Sequence, residues 1–188
     1  SSSVNAMVYI RGQHADYDHW AAQGTPGWGW ADVLPYFRRA EHNERGADEW
    51  HCQGGPFNVM DLRSPNRFGQ VFIDAAVQAG FAHNPDFNGA TQEGVGMYQV
   101  THKNGERHST AKGYLAQALG RPNLQVITGA HATRILLDGR RAVGVEYRQG
   151  GQLKQLRVRR EVLKVNMTPG HYRGDVPVTQ RAEAGHGH

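Results

Sequence analysis

The sequence predicts an α+β fold, in which helices accompany an antiparallel β-meander. The meander is predicted by three strand-like stretches that follow one another near the end of the chain, at residues 132–137, 141–147 and 153–160. Asp138-Gly139 and Gly150-Gly151 separate these stretches at the spacing of β-hairpins. The helical component is predicted most clearly over residues 68–79. There, apolar side chains recur at helical spacing and Gly80 stands where a C-terminal cap belongs.

Three further helices are expected. Asp16 is positioned to cap a helix over residues 16–22, which Gly24 would end. A second helix over residues 33–40 requires Pro35 to lie in its first turn, because proline lacks the backbone N–H that later turns need. A third helix would begin at Ser109 as its cap and run to Leu119.

The remaining elements are short strands and loops. Strands are predicted over residues 57–59 and 97–101, a hairpin turn at Asn104-Gly105, and a buried strand over residues 124–127. Three stretches are predicted to be irregular: Trp28-Gly29-Trp30 as a loop with aromatic anchors, residues 43–55 as an exposed loop or lid, and residues 84–96 as a glycine- and asparagine-rich loop.

Composition and charge argue against a membrane-spanning, a disulfide-bonded or a nucleic-acid-binding protein. The 188 residues are 38% apolar with a mean hydropathy of −0.65, and no apolar run approaches the ~20 residues that span a bilayer. With no signal segment and a single cysteine, Cys52, we expect a soluble, cytoplasmic protein without an internal disulfide. The net charge of +4 includes one basic cluster at residues 154–160, where arginines alternate with apolar residues. That pattern favours the solvated face of a strand over a nucleic-acid site.

The order of several motifs resembles one enzyme family. SSSVNAMVYIRG opens the chain, and ADYDHW and PGWGW follow at residues 15–20 and 26–30. This string is similar to the glucose–methanol–choline (GMC) family of FAD-dependent oxidoreductases, and most similar to its choline-dehydrogenase-like members. The likeness continues through residues 54–63, 86–100, 103–115 and 121–147 and fades after Val162.

The resemblance implies a partial GMC-type FAD-binding domain over residues 1–165, followed by a divergent tail over residues 166–188 that we expect to be disordered. The N-terminal Rossmann βαβ unit is expected to be lacking, because the sequence contains no GxGxxG fingerprint. Gly94-Val95-Gly96 is the nearest imitation, but it precedes a strand-like run. The C-terminal substrate and catalytic part, which carries the family's histidine pair, is expected to be lacking as well. No catalytic residue is therefore assigned.

The same resemblance implies a set of cofactor-binding residues. Asn5, Ala6, Met7 and Val8 would line the flavin, Ser1 and Ser2 would support the turn beside it, and the main chain of Ala132 would contact the adenine. Some members attach FAD through a histidine just before the asparagine; Val4 stands there, so FAD would be non-covalent. Each assignment has a plain structural alternative, namely a turn at Asn5 and an ordinary strand at Ala132.

The sequence gives little support for a metal site or for a serine hydrolase. The histidines do not give three or four ligands at the spacing of a zinc site, so no metal is expected. A serine hydrolase would need a G-x-S-x-G elbow, which is not present.

The expected function is that of a fragment of an FAD-dependent alcohol or choline dehydrogenase, inactive as an isolated chain. Its substrate would be a small-molecule alcohol. The whole parent would have an electron acceptor or a peripheral membrane partner, and uncovered apolar faces would promote self-association. Two alternatives remain open: a non-enzymatic remnant that binds a ligand or a protein, and a gene remnant that never folds independently.

Overall fold

The computed structural model describes residues 2–163, which divide into two compact units, residues 2–124 and 125–163. The site assignment of Ser1 and the predicted tail over residues 166–188 lie outside the described residues. Each unit is built from short elements.

The larger unit contains helices and two small two-stranded sheets. Its elements, in chain order, are α1 (His14–Ala22), α2 (Trp30–Ala40), β1 (Glu41–Asn43), β2 (Phe57–Val59), α3 (Arg67–Gln78), β3 (His102–Lys103), β4 (Glu106–Arg107), a π-helical turn (Ala111–Leu115) and α4 (Ala116–Ala118). Strands β1 and β2 pair in parallel, whereas β3 and β4 form an antiparallel hairpin. In the described residues, no helix has both the length and the apolar character needed to cross a membrane.

The start of α1 differs from the prediction. Gln13 occupies the N-cap position, and Asp16 is the third residue of the helix, where its Oδ2 accepts a hydrogen bond from the Gln13 backbone N–H at 2.9 Å. The prediction that Asp16 caps the helix was therefore wrong. A carboxylate in the first turn of a helix can accept a hydrogen bond from the backbone N–H of the N-cap residue, just as an N-cap side chain can accept one from an amide of the first turn.

The predictions around α2 were also wrong in detail. Trp30 begins the helix instead of lying in a loop, so Pro35 is its sixth residue and lies beyond the first turn. Proline there cannot donate the hydrogen bond that the carbonyl of Ala31 would accept. Since no residue of α2 is buried, water can reach that carbonyl.

Helix α3 forms where the apolar period predicted it. The Asn66 side chain caps it by accepting a hydrogen bond from the Phe68 backbone N–H at 2.9 Å, and Gly80 follows it with φ +97°. Its buried residue is Ile73, while Phe68 and Phe72 are 65% and 70% exposed. The predicted apolar stripe is thus largely uncovered in the described chain.

The prediction over residues 97–101 was only partly right, because the strand reduces to backbone bridges at Val100. Val100 exchanges two hydrogen bonds with Met60, at 2.8 and 3.0 Å, and lies opposite Val8 on its other side. The predicted strand at residues 57–59 and the hairpin turn at Asn104-Gly105 were confirmed, with φ of +53° and +76° at the two turn residues. Apolar burial centres on Tyr17, Val59, Met60, Ile73 and Val100.

The loop over residues 84–96 is irregular, as predicted, and its path depends on a glycine at one close backbone approach. At Gly96 an added Cβ would lie 1.9 Å from the carbonyl oxygen of Asn84, so only glycine lets these two segments cross. Val95 then exchanges backbone hydrogen bonds with Ala82 and Asn84, both at 2.9 Å. The Gly94-Val95-Gly96 sequence therefore serves a close backbone approach.

The smaller unit is the predicted antiparallel meander. Strands β5 (His131–Asp138), β6 (Arg141–Gln149) and β7 (Gln152–Arg157) pair in the order β5-β6-β7. Every residue of β7 is exposed, Arg157 included, as expected for a solvated basic strand.

The buried strand predicted over residues 124–127 does not form. Those residues are irregular, and Leu124 and Val126 are 38% and 44% exposed. A short apolar run becomes a buried strand only when a neighbouring strand pairs with it, which its own sequence does not report.

Candidate functional site

Residues 2–8 form a surface segment whose beginning is tied down by the hairpin and the helical turn that follows it. The Ser2 hydroxyl lies 2.8 Å from that of Thr110 and accepts a hydrogen bond from the Thr110 backbone N–H at 3.1 Å. Arg107 Nη1 donates to the Ser2 carbonyl at 3.1 Å. Ser2 is buried, whereas residues 3–6 are exposed. The segment is therefore anchored at Ser2, while residues 3–6 remain exposed to solvent.

A tight turn shapes the middle of this segment. Asn5 Oδ1 accepts one hydrogen bond from the Met7 backbone N–H at 3.1 Å and another from Arg107 Nη1 at 2.8 Å. Met7 has φ +64°, a left-handed conformation that a residue with a side chain adopts at a cost on the order of 1 kcal/mol. The turn predicted as the plain alternative at Asn5 is present. It also holds Asn5 and Ala6 outward.

Pairing to the strand-like residues 99–101 fixes the end of the segment. The Met7 carbonyl accepts a hydrogen bond from the Thr101 backbone N–H at 2.8 Å, and the Tyr9 backbone N–H donates to the Gln99 carbonyl at 2.9 Å. The imidazole of His102 lies 2.9 Å from Met7 Sδ. The left-handed turn is thus held by contacts on both sides.

The surface that results suits a flat ligand. Asn5 and Ala6 are exposed and small, and Val8 is 43% exposed, so the main chain is accessible along this stretch. Arg107 brings a guanidinium to its edge. Accessible peptide groups, small side chains and a nearby cation match the needs of a ring system that carries phosphates. The residues present fit FAD in this respect.

Ala132 belongs to the other unit, so its position is described separately. It lies near the start of β5, is exposed, and pairs with Tyr147 of β6. The pairing register shifts between Ala132 and Arg134, which marks a local irregularity in the strand. The expected strand at Ala132 is confirmed, and its adenine contact stays a prediction.

A buried polar cluster lies directly behind Tyr9 and was missed by the sequence predictions. Arg11 Nη2 donates to Glu41 Oε2 at 2.9 Å, and both side chains are almost fully buried. Asn43 and Gln99 pair through their amides at 2.9 and 3.1 Å, and Asn43 Nδ2 also donates to Glu41 Oε1 at 3.0 Å. Within residues 2–163, the one buried side-chain nitrogen or oxygen atom without a hydrogen-bond partner is Arg11 Nε.

His51 completes this cluster and corrects part of the prediction for residues 43–55. Its Nδ1 lies 3.0 and 3.1 Å from the two Glu41 oxygens, and its Nε2 lies 2.9 Å from Asp86 Oδ2. The predicted loop is present and residues 47–49 are exposed, but Asn43 and His51 are buried, so the expected exposure was only partly right. A polar, aperiodic sequence indicates solvent exposure only when its side chains do not satisfy one another.

Burial and charge set the ionisation of this cluster. Burial alone would lower the pKa of His51, but hydrogen bonds and charge from Asp86 and Glu41 outweigh it and raise the pKa to about 9. For Asp86, burial acts to raise the pKa, and the hydrogen bond from His51 more than offsets it, so the pKa lies below its usual range. Burial, with a smaller contribution from Glu41, raises the pKa of Tyr9 to about 12.

A cavity of about 260 Å³ lies beside the cluster. Its walls are residues 11–15 and residues 87–93, and Trp30 also lines it. Gln92 Nε2 joins the walls by donating to the Arg11 carbonyl at 2.7 Å. Among residues 2–163, no group of three or more His, Cys, Asp or Glu side chains is arranged to hold a metal ion.

Comparison with known proteins places these features in context. The sequence model of the GMC oxidoreductase family matches residues 1–167. An oxygen-dependent choline dehydrogenase of Brucella ovis is 45% identical over 163 residues, which are 87% of this chain and 30% of that protein. An alcohol dehydrogenase (acceptor) of Pseudomonas putida is 46% identical over 158 residues, 84% of this chain and 29% of that protein.

Solved structures agree with the sequence relatives. Pyridoxine 4-oxidase from Mesorbium loti superposes with a TM-score of 0.76 at 28% identity, covering 84% of this chain and 31% of that one. An FAD-dependent oxidoreductase from Chaetomium thermophilum gives a TM-score of 0.73 at 25% identity, covering 83% of this chain and 30% of that one. The chain thus spans about 30% of the length of the curated relatives it matches.

Proposed function

Because the chain belongs to the GMC oxidoreductase family, we propose that it forms part of an FAD-dependent enzyme that oxidises the CH–OH group of a small alcohol. The names of its relatives, choline dehydrogenase and alcohol dehydrogenase, support a primary alcohol such as choline. The chain has the fold of part of a GMC-type FAD-binding domain, with helices, small sheets and a meander. The activity proposed is that of the whole protein.

One observation carries the proposal, namely the left-handed Met7 at the centre of an exposed, anchored segment. A side-chain-bearing residue is held at φ +64° only where the surroundings determine it, and such residues cluster at ligand sites. Asn5, Ala6 and Val8, which lie beside Met7, are exposed. We assign the flavin contacts to residues 5–8, with Ser1 and Ser2 supporting the turn.

When bound, FAD would supply the chemistry, namely an acceptor for the hydride of the alcohol carbon. The residues of this chain bind and orient it. Arg107 neutralises negative charge at the edge of the segment, and the main chain of Ala132 contacts the adenine. Val4 offers no nucleophile, so the cofactor is held non-covalently. The base that accepts the hydroxyl proton comes from the rest of the parent protein, and the isolated 188-residue chain turns nothing over.

The first experiment is the visible absorption spectrum of the purified chain after addition of FAD and removal of free flavin. Retained flavin absorbance is the expected result. Arg107→Met should reduce the retained fraction, because it removes the hydrogen bonds to the Ser2 carbonyl and Asn5 Oδ1. Arg140→Met is the matched control, since Arg140 lies exposed in the turn between β5 and β6. A folded chain that retains no flavin refutes the flavin contacts and favours the non-enzymatic alternative, a remnant that binds another ligand or a protein.

Two expectations from the sequence join this proposal. We propose a cytoplasmic location, on the single cysteine, which suits a reducing compartment. Self-association is supported by exposed apolar side chains on α3, Phe68, Val71 and Phe72. Sedimentation velocity of the wild-type chain and of Phe72→Ser tests it, and an unchanged distribution of species in the variant contradicts the assignment to α3.

A further inference from the structure

The two ring nitrogens of His51 each face a carboxylate. Nδ1 lies 3.0 Å from Glu41 Oε1, and Nε2 lies 2.9 Å from Asp86 Oδ2. A neutral imidazole carries one N–H and one lone pair, so it could donate to only one of these acceptors. Its lone pair would then point at the other carboxylate. Only the imidazolium, with two N–H groups, satisfies both partners.

The neighbouring amide does not change this assignment. Asn43 Nδ2 lies 3.1 Å from His51 Nδ1 and could be taken for a donor to it. That amide has two hydrogens, and two oxygens already accept from it: Glu41 Oε1 at 3.0 Å and Gln99 Oε1 at 2.9 Å. The proton between His51 and Glu41 therefore belongs to the ring.

Two chains of hydrogen bonds lead from His51 to residues 9–11, which directly follow the segment proposed to contact flavin. In one, Glu41 accepts from both His51 and Arg11, whose side chains are nearly fully buried. In the other, Asp86 Oδ1 accepts from the Asn88 backbone N–H at 3.0 Å. The Asn88 side chain then holds the main chain on both sides of Ile10: its Nδ2 donates to the Tyr9 carbonyl at 3.0 Å, and its Oδ1 accepts from the Arg11 N–H at 2.7 Å.

We propose that His51 is a positioning residue: as a buried cation it braces Glu41 and Asp86, and through them it fixes residues 9–11, which directly follow the segment proposed to contact flavin. The part of this inference that concerns flavin rests on the proposed function; the brace itself does not. Loss of the ring proton removes one charge-assisted hydrogen bond and leaves a buried carboxylate facing a lone pair. The loops that carry Arg11 and Asn88 are the two walls of the cavity, so the same loss loosens both.

Charged groups around His51 come from every element packed against it. In the described chain, four charged residues accompany the two carboxylates that face the ring. Arg11 pairs with Glu41, and the charge of Arg45 lowers the pKa of Asp86. Asp48 accepts a hydrogen bond from the His51 backbone N–H, and Arg38 donates one to the His51 carbonyl. Of the three charged side chains that are nearly fully buried, Arg11 and His51 are cations and Glu41 is the anion, while Asp86 is 28% exposed. Removal of the proton from His51 leaves both carboxylates without the cation that they share.

The first test follows the His51 ring resonances by NMR as the pH is raised, using the full 188-residue chain without cofactor. The signal is assigned by its absence from His51→Gln. We expect a titration midpoint near 9, the value to which the two carboxylates raise the His51 pKa. A midpoint above about 8 supports the brace. A midpoint at or below that value, closer to an ordinary histidine, overturns it.

The second test uses Asp86→Asn, which keeps the shape of the side chain and its acceptor for the Asn88 N–H. We expect the His51 midpoint to fall by about one to three pH units, and the Tyr9 and Arg11 amides to exchange with solvent about tenfold faster. His19→Gln, which changes an exposed histidine of α1, should leave both measurements as in the wild type. Unchanged exchange at Tyr9 and Arg11 in Asp86→Asn overturns the route through Asn88.

Should Asp86→Asn fail to fold, the wild-type chain supplies the same comparison. Its Tyr9 and Arg11 amides, corrected for intrinsic exchange, should lose protection as the pH passes the His51 midpoint. Unchanged protection overturns the proposal.

Flavin retention separates this inference from the proposed function. If the wild-type chain retains FAD and Asp86→Asn retains several-fold less, the positioning role is supported. If both retain it equally, the positioning role is refuted and the proposed function stands. If His51 titrates near 9 but neither protein retains FAD, the brace stands and the proposed flavin contacts are refuted.

Discussion

The pairing of His51 makes the stability of this chain depend on alkaline pH. The pKa of His51 is raised from 6.5 to about 9 in the folded state. Between these values the folded chain keeps a proton that the unfolded chain has released, so the free energy of unfolding falls as pH rises. The contribution is fully present below pH 6.5 and is lost as the pH passes 9.

The size of the effect follows from the same values. Each pH unit across this interval corresponds to 1.36 kcal/mol, so the raised pKa represents about 3 kcal/mol. The His51 and Glu41 side chains are 6% and 0% exposed, so solvent screens their contact little, whereas Asp86 is 28% exposed and its contact is screened more. A small domain has a total stability of about 5–15 kcal/mol. The loss should therefore be a large part of the total.

Urea unfolding of the wild type and of His51→Gln, followed by tryptophan fluorescence at about pH 6 and about pH 10, measures this contribution. The difference in unfolding free energy between the two proteins should shrink by about 3 kcal/mol over that range. Groups that titrate in both proteins cancel in the difference. A difference that stays constant with pH would refute the assignment of a bound proton to His51.

Three substitutions test how the fold is held. Val59→Ala should lower the unfolding free energy by about 2 kcal/mol in urea titrations, because Val59 is fully buried at the centre of the small apolar core. Gly96→Ala should cost about 3 kcal/mol by the same measurement, since the new Cβ would lie 1.9 Å from the Asn84 carbonyl oxygen. Gly144→Ala places a Cβ 2.5 Å from the Leu156 carbonyl oxygen, so amide exchange in β7 should accelerate as its pairing to β6 loosens.

Gly120→Ala is the control for both glycine substitutions. Its added Cβ would meet no atom within 4 Å, and its backbone does not require glycine. We expect its unfolding free energy to equal or slightly exceed that of the wild type. Equal losses in Gly96→Ala and Gly120→Ala would contradict the close backbone approach as the cause.

Elements held by their own local sequence were the ones that sequence reasoning predicted well. The apolar period and Gly80 predicted α3, and the turns at Asp138-Gly139 and Gly150-Gly151 predicted the meander. In both cases residues within a few positions of each other determine the conformation. Where two local solutions compete, as for Asp16 and Gln13 at the start of α1, the sequence alone did not decide which residue caps the helix.

The buried polar cluster could not be predicted in the same way. His51 is ten residues from Glu41 and thirty-five from Asp86, and no short-range pattern links these positions. The same holds for the left-handed Met7, because its conformation depends on contacts from Thr101 and His102. Sequence resemblance predicts flavin contacts at residues 5–8, but only the fold shows what holds this segment in place.

Among the buried residues of the described chain, polar residues outnumber apolar ones, which makes the polar cluster important for holding the loops in position. Five apolar residues are buried there, against eleven polar or charged ones. So small an apolar core fixes loop positions weakly, because apolar contacts have little directional preference. Hydrogen bonds between buried charged groups are directional, and breaking one leaves its partner buried and uncompensated. The position of residues 9–11 is therefore set mainly by Arg11, Asn88 and the carboxylates behind them. Substitutions at His51, distant in sequence from the segment proposed to contact flavin, should move that segment more than changes on its exposed surface.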